Sequence, residues 1–162
     1  MQEQQPAWRR LSGERLRRPI EEEIHIAMTR ERNAGHQMAV FIGTDSQVKG
    51  QAIDFATVIV FYRKGNGAFM FVQPQRVIRK LSLRERMLEE VHRSITTAGN
   101  LSPLFLQHKV TPEIHVDINT QAVFKSNAAL SDATGYLRGM GFNFQTKPYA
   151  FASSSCADKM VQ

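Results

Sequence analysis

Hydrophobic positions along this chain follow two periods. Ile20, Ile24, Ala27 and Met28 recur at i, i+4, i+7 and i+8, the spacing of an amphipathic helix. Pro19 suits the first turn of that helix, and Asn33-Ala34-Gly35 ends it. Met38 to Thr44 is then almost unbroken apolar sequence, as expected of a strand covered on both faces. Asp54 to Arg63 is β-branched and aromatic, a second strand. Ala68 to Gln73 returns as a third. Lys64-Gly65-Asn66-Gly67 lies between them, with the Asn-Gly pair of a tight hairpin turn. These three strands are read as an antiparallel meander.

Beyond the meander the pattern alternates. Ser82 to Ala98 places Leu83, Met87, Val91 and Ala98 on one helical face, with Leu88 and Ile95 on its flank. Gly99-Asn100 is read as its stop. Glu113 to Ile118 is a short fourth strand. A helix from about Gln121 to Met140 turns Val123, Leu130, Ala133 and Leu137 inward, and Gly141 suits its C-terminal cap. Phe142 to Lys147 is a fifth strand, ended by Pro148. Ala152-Ser153-Ser154-Ser155 offers N-cap chemistry for a last short helix. A meander followed by alternating helices and strands gives an α/β fold, a mixed five-stranded sheet with helices on its faces. Residues 19–162 are read as one domain, including an extra N-terminal helix over 19–34. Residues 1–18 precede it as a basic flexible arm.

Composition narrows the function classes. The 162 residues are 42% apolar and 22% charged, ordinary for a globular protein. No apolar run approaches the roughly 18 residues that span a bilayer, and no secretory signal is expected behind the polar amino terminus. The single cysteine, Cys156, excludes an internal disulfide and fits a reducing compartment, so a cytoplasmic location is expected. The net charge of +6 points to an anionic partner, nucleic acid first. Much of that charge, however, sits in Arg9, Arg10, Arg15, Arg17 and Arg18, a run that also suits a solvated tail.

Candidate chemistry lies in the acids. Asp45 closes the apolar run Val40-Phe41-Ile42-Gly43-Thr44, and Ile114-His115-Val116-Asp117 repeats the device. A carboxylate in such a place costs several kcal/mol unless something pairs with it. If the two strands lie side by side in parallel, both acids reach the edge where open α/β sheets bind ligands. The natural shared partner is a divalent cation; the plainer reading of Asp45 is a turn former at the strand exit. A third acid comes from the helix after the meander. Glu85 belongs to a capping-box pattern with Ser82, and Glu89 points away from the apolar stripe. Glu90 borders that stripe and is preferred, with Glu85 second. Asp158 on the last helix is a fourth, with a helix-dipole role as the alternative. The five histidines show no close metal spacing, which argues against zinc.

Three antiparallel strands followed by helix, strand, helix, strand and helix is the ribonuclease H-like topology. The segments Ile42-Gly43-Thr44-Asp45-Ser46-Gln47, Leu83-Arg84-Glu85-Arg86, Tyr136-Leu137-Arg138-Gly139-Met140-Gly141-Phe142 and Lys147-Pro148-Tyr149-Ala150-Phe151-Ala152-Ser153-Ser154-Ser155-Cys156-Ala157-Asp158 resemble the YkuK-type, ribonuclease H-like bacterial family. The resemblance runs from about Met38 to the end. It implies that Asp45, Asp117 and Asp158 match the superfamily's metal-binding acids, with Glu90 or Glu85 as the helix acid.

The expectation that follows is a two-metal nuclease. Two magnesium or manganese ions held by Asp45, Glu90, Asp117 and Asp158 would hydrolyse phosphodiester bonds in RNA, DNA or their hybrid. Lys125 and Lys147, near strand ends, are candidate phosphate contacts. The alternative is a non-catalytic nucleic-acid-binding or protein-interaction module on the same fold.

Overall fold

Strand alternation decides what each face of the sheet buries, and so where the acids point. The structure, a computed structural model, describes residues 6–119 and 130–162. Its strands are β1 (Arg9–Arg10), β2 (Met38–Lys49), β3 (Ala52–Arg63), β4 (Ala68–Ile78), β5 (Glu113–Asn119) and β6 (Phe144–Lys147). Their order across the sheet is β1-β4-β3-β2-β5-β6. β2, β3 and β4 form the antiparallel meander, and β5 and β6 run parallel to β2.

One face carries the larger core. Val40 and Ile42 of β2 lie there with Ile59, Phe61, Phe71, Ile114, Val116 and Ile118. Helices α1 (Ile20–Asn33) and α2 (Leu83–Gln107) cover them through Ile24, Met28, Met87, Val91, Ile95 and Phe105. On the opposite face Ala56, Val58, Val60 and Val72 pack against Ala152, Ala157 and Val161 of the final helix. That small-residue contact lets the last helix lie close to the sheet. Asp45 belongs to this second face, because it alternates with Thr44 and Ser46.

The sheet differs from the five strands expected. Among the described residues it has six, because Arg9–Arg10 pairs antiparallel with Phe71 and Val72 of β4. Part of the segment read as a flexible arm is thus an edge strand. Two residues are too few to show an alternating pattern, so nothing in the sequence announced it. β4 also continues past Gln73 through Pro74 to Ile78. The proline's missing N–H costs little there, since β1 pairs only at Phe71 and Val72.

The helices differ in length as well. α2 runs through Gly99-Asn100 and Pro103 to Gln107. Leu101 and Phe105 continue its buried face, and each contributes about 1.5–3 kcal/mol on burial. That offsets about 3 kcal/mol for an interior proline and about 1 for the glycine. α3 spans Leu130–Gly139; the earlier part of the helix expected from Gln121 lies outside the described residues. β6 begins at Phe144 rather than Phe142. The final helix contains a π-helical turn over Ala152–Ala157 and continues as α4 (Asp158–Val161). Among the described residues no helix is long and apolar enough to cross a membrane.

Candidate active site

Strand register brings the first two acids together. Ile42 pairs with Ile114 and Gly43 with His115 across the parallel β2–β5 ladder. Carried two residues on, that register sets Asp45 beside Asp117 on one face. Asp45 is only 6% exposed. Burial, the charge of Asp117, and a hydrogen bond and charge from Asp158 raise its pKa to about 7. The Ser46 backbone N–H, donating to Asp45 Oδ1 at 2.8 Å, pulls the other way. Asp158, at the start of α4, lies on the face that Asp45 shares, and Gln162 Nε2 donates to its Oδ2 at 2.7 Å.

Glu90 approaches from α2 and is 4% exposed. The Ser46 hydroxyl donates to Glu90 Oε1. Burial raises its pKa well above the usual glutamate range, and the charges of Asp45 and Asp117 push it further; Ser46 and Arg86 oppose them. A polar seam holds the helix at this height. Arg86 Nη1 donates to the Ser46 carbonyl at 3.1 Å. The Ser94 hydroxyl lies 2.8 Å from Thr44 Oγ1, which lies 3.0 Å from Thr57 Oγ1. Arg86, Glu90 and Ser94 are four residues apart and share one helical face, while Thr44 and Ser46 share one strand face. The seam therefore locks the register of α2 against β2 on either side of Asp45.

The other candidates divide. Glu85 stands apart from the cluster, in a capping box with Ser82: it accepts from the Ser82 N–H at 2.7 Å, while its own N–H donates to Ser82 Oγ at 3.1 Å. Those bonds hold its carboxyl below the usual range. Lys147, the last residue of β6, places Nζ 2.7 Å from Asp117 Oδ1. Lys125 lies outside the described residues.

His115 was not singled out in the sequence. It is 2% exposed, two residues before Asp117 on the same strand face. Its Nδ1 accepts from the Ala152 backbone N–H at 3.1 Å, and its Nε2 lies 3.0 Å from Glu113 Oε1. An accepting Nδ1 puts the proton on Nε2, which donates to Glu113, so the ring is neutral. Burial lowers its pKa, in agreement. Phe41 and Phe151 flank it, each with ring centroids 4.8 Å away. The histidine thus fastens the start of the final helix to β5, which sets where Asp158 stands. Its inward place in an alternating strand was visible in the sequence; its partner across the sheet was not.

The donor chemistry fits a hard divalent cation. The acids offer oxygen only, and burial, helped by like charge, raises the pKa of two of them, Asp45 and Glu90, an effect a bound cation would reverse. Among the described residues no three His, Cys, Asp or Glu side chains are arranged to hold one ion. The acids are turned instead toward Ser46, Lys147 and Gln162.

The family of this chain comes from comparison with known proteins. Residues 20–162 match the family model described as Ribonuclease H-like. A Bacillus subtilis (strain 168) protein, YkuK, described as uncharacterized, is 29% identical over 135 residues, covering 75% of this chain and 77% of its own. Ribonuclease H1 from the halophilic archaeon Halobacterium salinarum is 14% identical with a TM-score of 0.43, covering 75% of this chain and 92% of that one. The N-terminal ribonuclease H domain of a Mycobacterium tuberculosis protein is 9% identical with a TM-score of 0.38, covering 76% and 93%. On the family-model match over residues 20–162, the chain belongs to the ribonuclease H-like family.

Proposed function

We propose that this protein is a metal-dependent nuclease, hydrolysing phosphodiester bonds in nucleic acid. One observation carries the reading: Asp45, Glu90, Asp117 and Asp158 come from four separate elements and act on one another electrostatically at the carboxyl edge of β2 and β5. Structural acids are normally matched with cations, whereas Asp117 and Asp158 add to the rise at Asp45, and Asp45 and Asp117 add to the rise at Glu90.

Magnesium or manganese would be held by these four acids; when bound, it supplies an activated water and stabilises the leaving oxygen. The chain's own residues supply position. Ser46 orients Glu90, and the Thr44–Ser94 contact keeps α2 in register. His115 holds the final helix, and with it Asp158, against β5. The net charge of +6 favours a polyanionic substrate, and binding of that kind weakens steeply with salt. Glu85 has no part in the reaction, since capping α2 occupies it.

The test is cleavage of labelled RNA, DNA and RNA–DNA hybrid in magnesium. Asp45→Asn and Asp117→Asn each lower the rate by about 100-fold or more. Equal rates for the variants and the wild type would sink the proposal.

A further inference from the structure

A cavity of about 280 Å³ lies on the flank of α2 that the acids do not use. Asp45, Glu90, Asp117 and Asp158 have no part in its lining. Glu90 turns toward the acids, whereas Glu89, about 100° further around the helix, borders the cavity. Thr57, Gln73 and Gln75 line it from β3 and β4, and Arg93, Thr97 and Asn100 from α2. Pro6 and Trp8 complete it from just before β1. Those two residues precede the ribonuclease H-like match, which begins at residue 20. Gln73 Nε2 donates to the Pro6 carbonyl at 2.8 Å, and Trp8 packs against the larger core. The segment is thus fastened where it meets the family fold.

The lining selects the chemistry of an occupant. Its arginine is already matched: Arg93 Nε donates to Glu89 Oε1 at 3.0 Å, Nη1 donates to Gln75 Oε1, and the guanidinium lies 4.0 Å from the Phe55 ring centroid. With histidine counted as neutral, Glu21 leaves one negative charge in excess, which opposes a phosphate or other anion. An apolar occupant would take water from amides and hydroxyls and return no hydrogen bond. A neutral ring with both donors and acceptors meets both conditions. The volume, at the small end for ligand sites, suits one ring system rather than a chain. Among the described residues, Gln73 Oε1, Gln75 Nε2 and the Asn100 amide have no other hydrogen-bond partner.

We infer that this cavity binds a nucleobase, stacked on Trp8 and read along its edge by the amides of Gln73, Gln75 and Asn100. Amide side chains set a donor beside an acceptor, the pattern that pairs with a base edge through two bonds. Stacking on an aromatic ring adds affinity without calling for charge. A free nucleoside and a base turned out of a strand offer the same ring. The site stands apart from the metal-dependent reading, since it uses none of the four acids.

Trp8 is the chain's one tryptophan, so its emission reports on this cavity directly. The experiment titrates the full chain, in EDTA, with the four ribonucleosides, with a short single strand, and with a base-free strand of the same length. Saturable quenching by at least one nucleoside is the result for a free ligand. Quenching by the single strand alone is the result for a base held in a strand. Asn100→Ala, at an exposed helix position, weakens binding about three- to tenfold, as does Gln73→Ala. Asp45→Asn is quenched like the wild type. No quenching by nucleosides or strand, equal quenching by the base-free strand, or undiminished affinity in both amide variants overturns the base site. So does a larger response to inorganic phosphate or glucose than to any nucleoside. Quenching lost in Asp45→Asn moves the ligand to the acids and overturns the separate site. The cleavage rate of Asp45→Asn bears on the nuclease reading alone.

Discussion

Asp45 and Asp54 lie on adjacent antiparallel strands, where Asp45 pairs with Ala56 and Gln47 with Asp54. Their surroundings are opposite. Near the β2–β3 hairpin, Arg76 grips Asp54 with two bonds of 2.6 and 2.8 Å, and Lys49 adds a contact at 3.2 Å. The Arg76 hydrogen bonds lead in lowering the Asp54 pKa to about 2. At the β2–β5 edge, burial leads in raising the Asp45 pKa to about 7, and Asp117 and Asp158 add to the rise. The fold favours the charge on Asp54 and opposes the charge on Asp45. An acid that a protein keeps against its own stability is a mark of function, whereas a matched one explains itself.

The two shifts act on stability with opposite sign. A raised carboxyl pKa means the folded state holds its proton more tightly, so stability is present at low pH and falls as pH rises from about 4 through about 7. A lowered one gives stability that is present above about 4 and is lost as pH falls toward about 2.

The largest expected effect tests the contrast in activity. Asp45→Asn removes about 100-fold or more of the cleavage rate, while Asp54→Asn leaves that rate within about twofold; comparable losses in both variants would dissolve the distinction. Next comes stability by urea unfolding. Asp45→Asn is more stable than wild type by about 1–3 kcal/mol at pH 8, and the gain disappears by pH 4. A destabilised Asp45→Asn at pH 8 would show that the charge is already compensated. Ser94→Ala sharpens the other side of the strand. Losing the bond to Thr44 costs about 1–2 kcal/mol, and cleavage falls further than stability does if α2 register sets the position of Glu90. The smallest effect is Asp54→Asn, which loses about 0.5–1 kcal/mol at pH 7, as for a partly exposed ion pair, and nothing near pH 2.

Much of this contrast was legible before any coordinates. An acid ending an apolar strand is conspicuous, so Asp45 and Asp117 stood out together. The Asn66-Gly67 hairpin and the Ser82–Glu85 capping box follow from local chemistry, and the structure has both. Glu90 was separable from Glu85 and Glu89 because helical periodicity places it beside the buried stripe, and it is buried. What local pattern could not supply was pairing between distant segments. Lys147 was read as a phosphate contact. Its bond to Asp117 depends on the register of two parallel strands thirty residues apart. His115 is similar, since its role depends on a backbone N–H thirty-seven residues away. The length of α2 was missed for another reason: local stop signals lost to buried Leu101 and Phe105.

The π-helical turn over Ala152–Ala157 sits between the His115 anchor at Ala152 and the acid at Asp158. Such a turn holds one residue more than an α-turn needs. Each residue of an α-helix advances about 100° around the axis. Deleting Ser155 would let the segment relax to an ordinary helix, with its anchor still fastened to the sheet, and swing the acid about a quarter-turn off the edge. The spare residue makes the reach of the final carboxylate a matter of phase, so loss of a single codon could silence the site while leaving the sheet and its larger core intact.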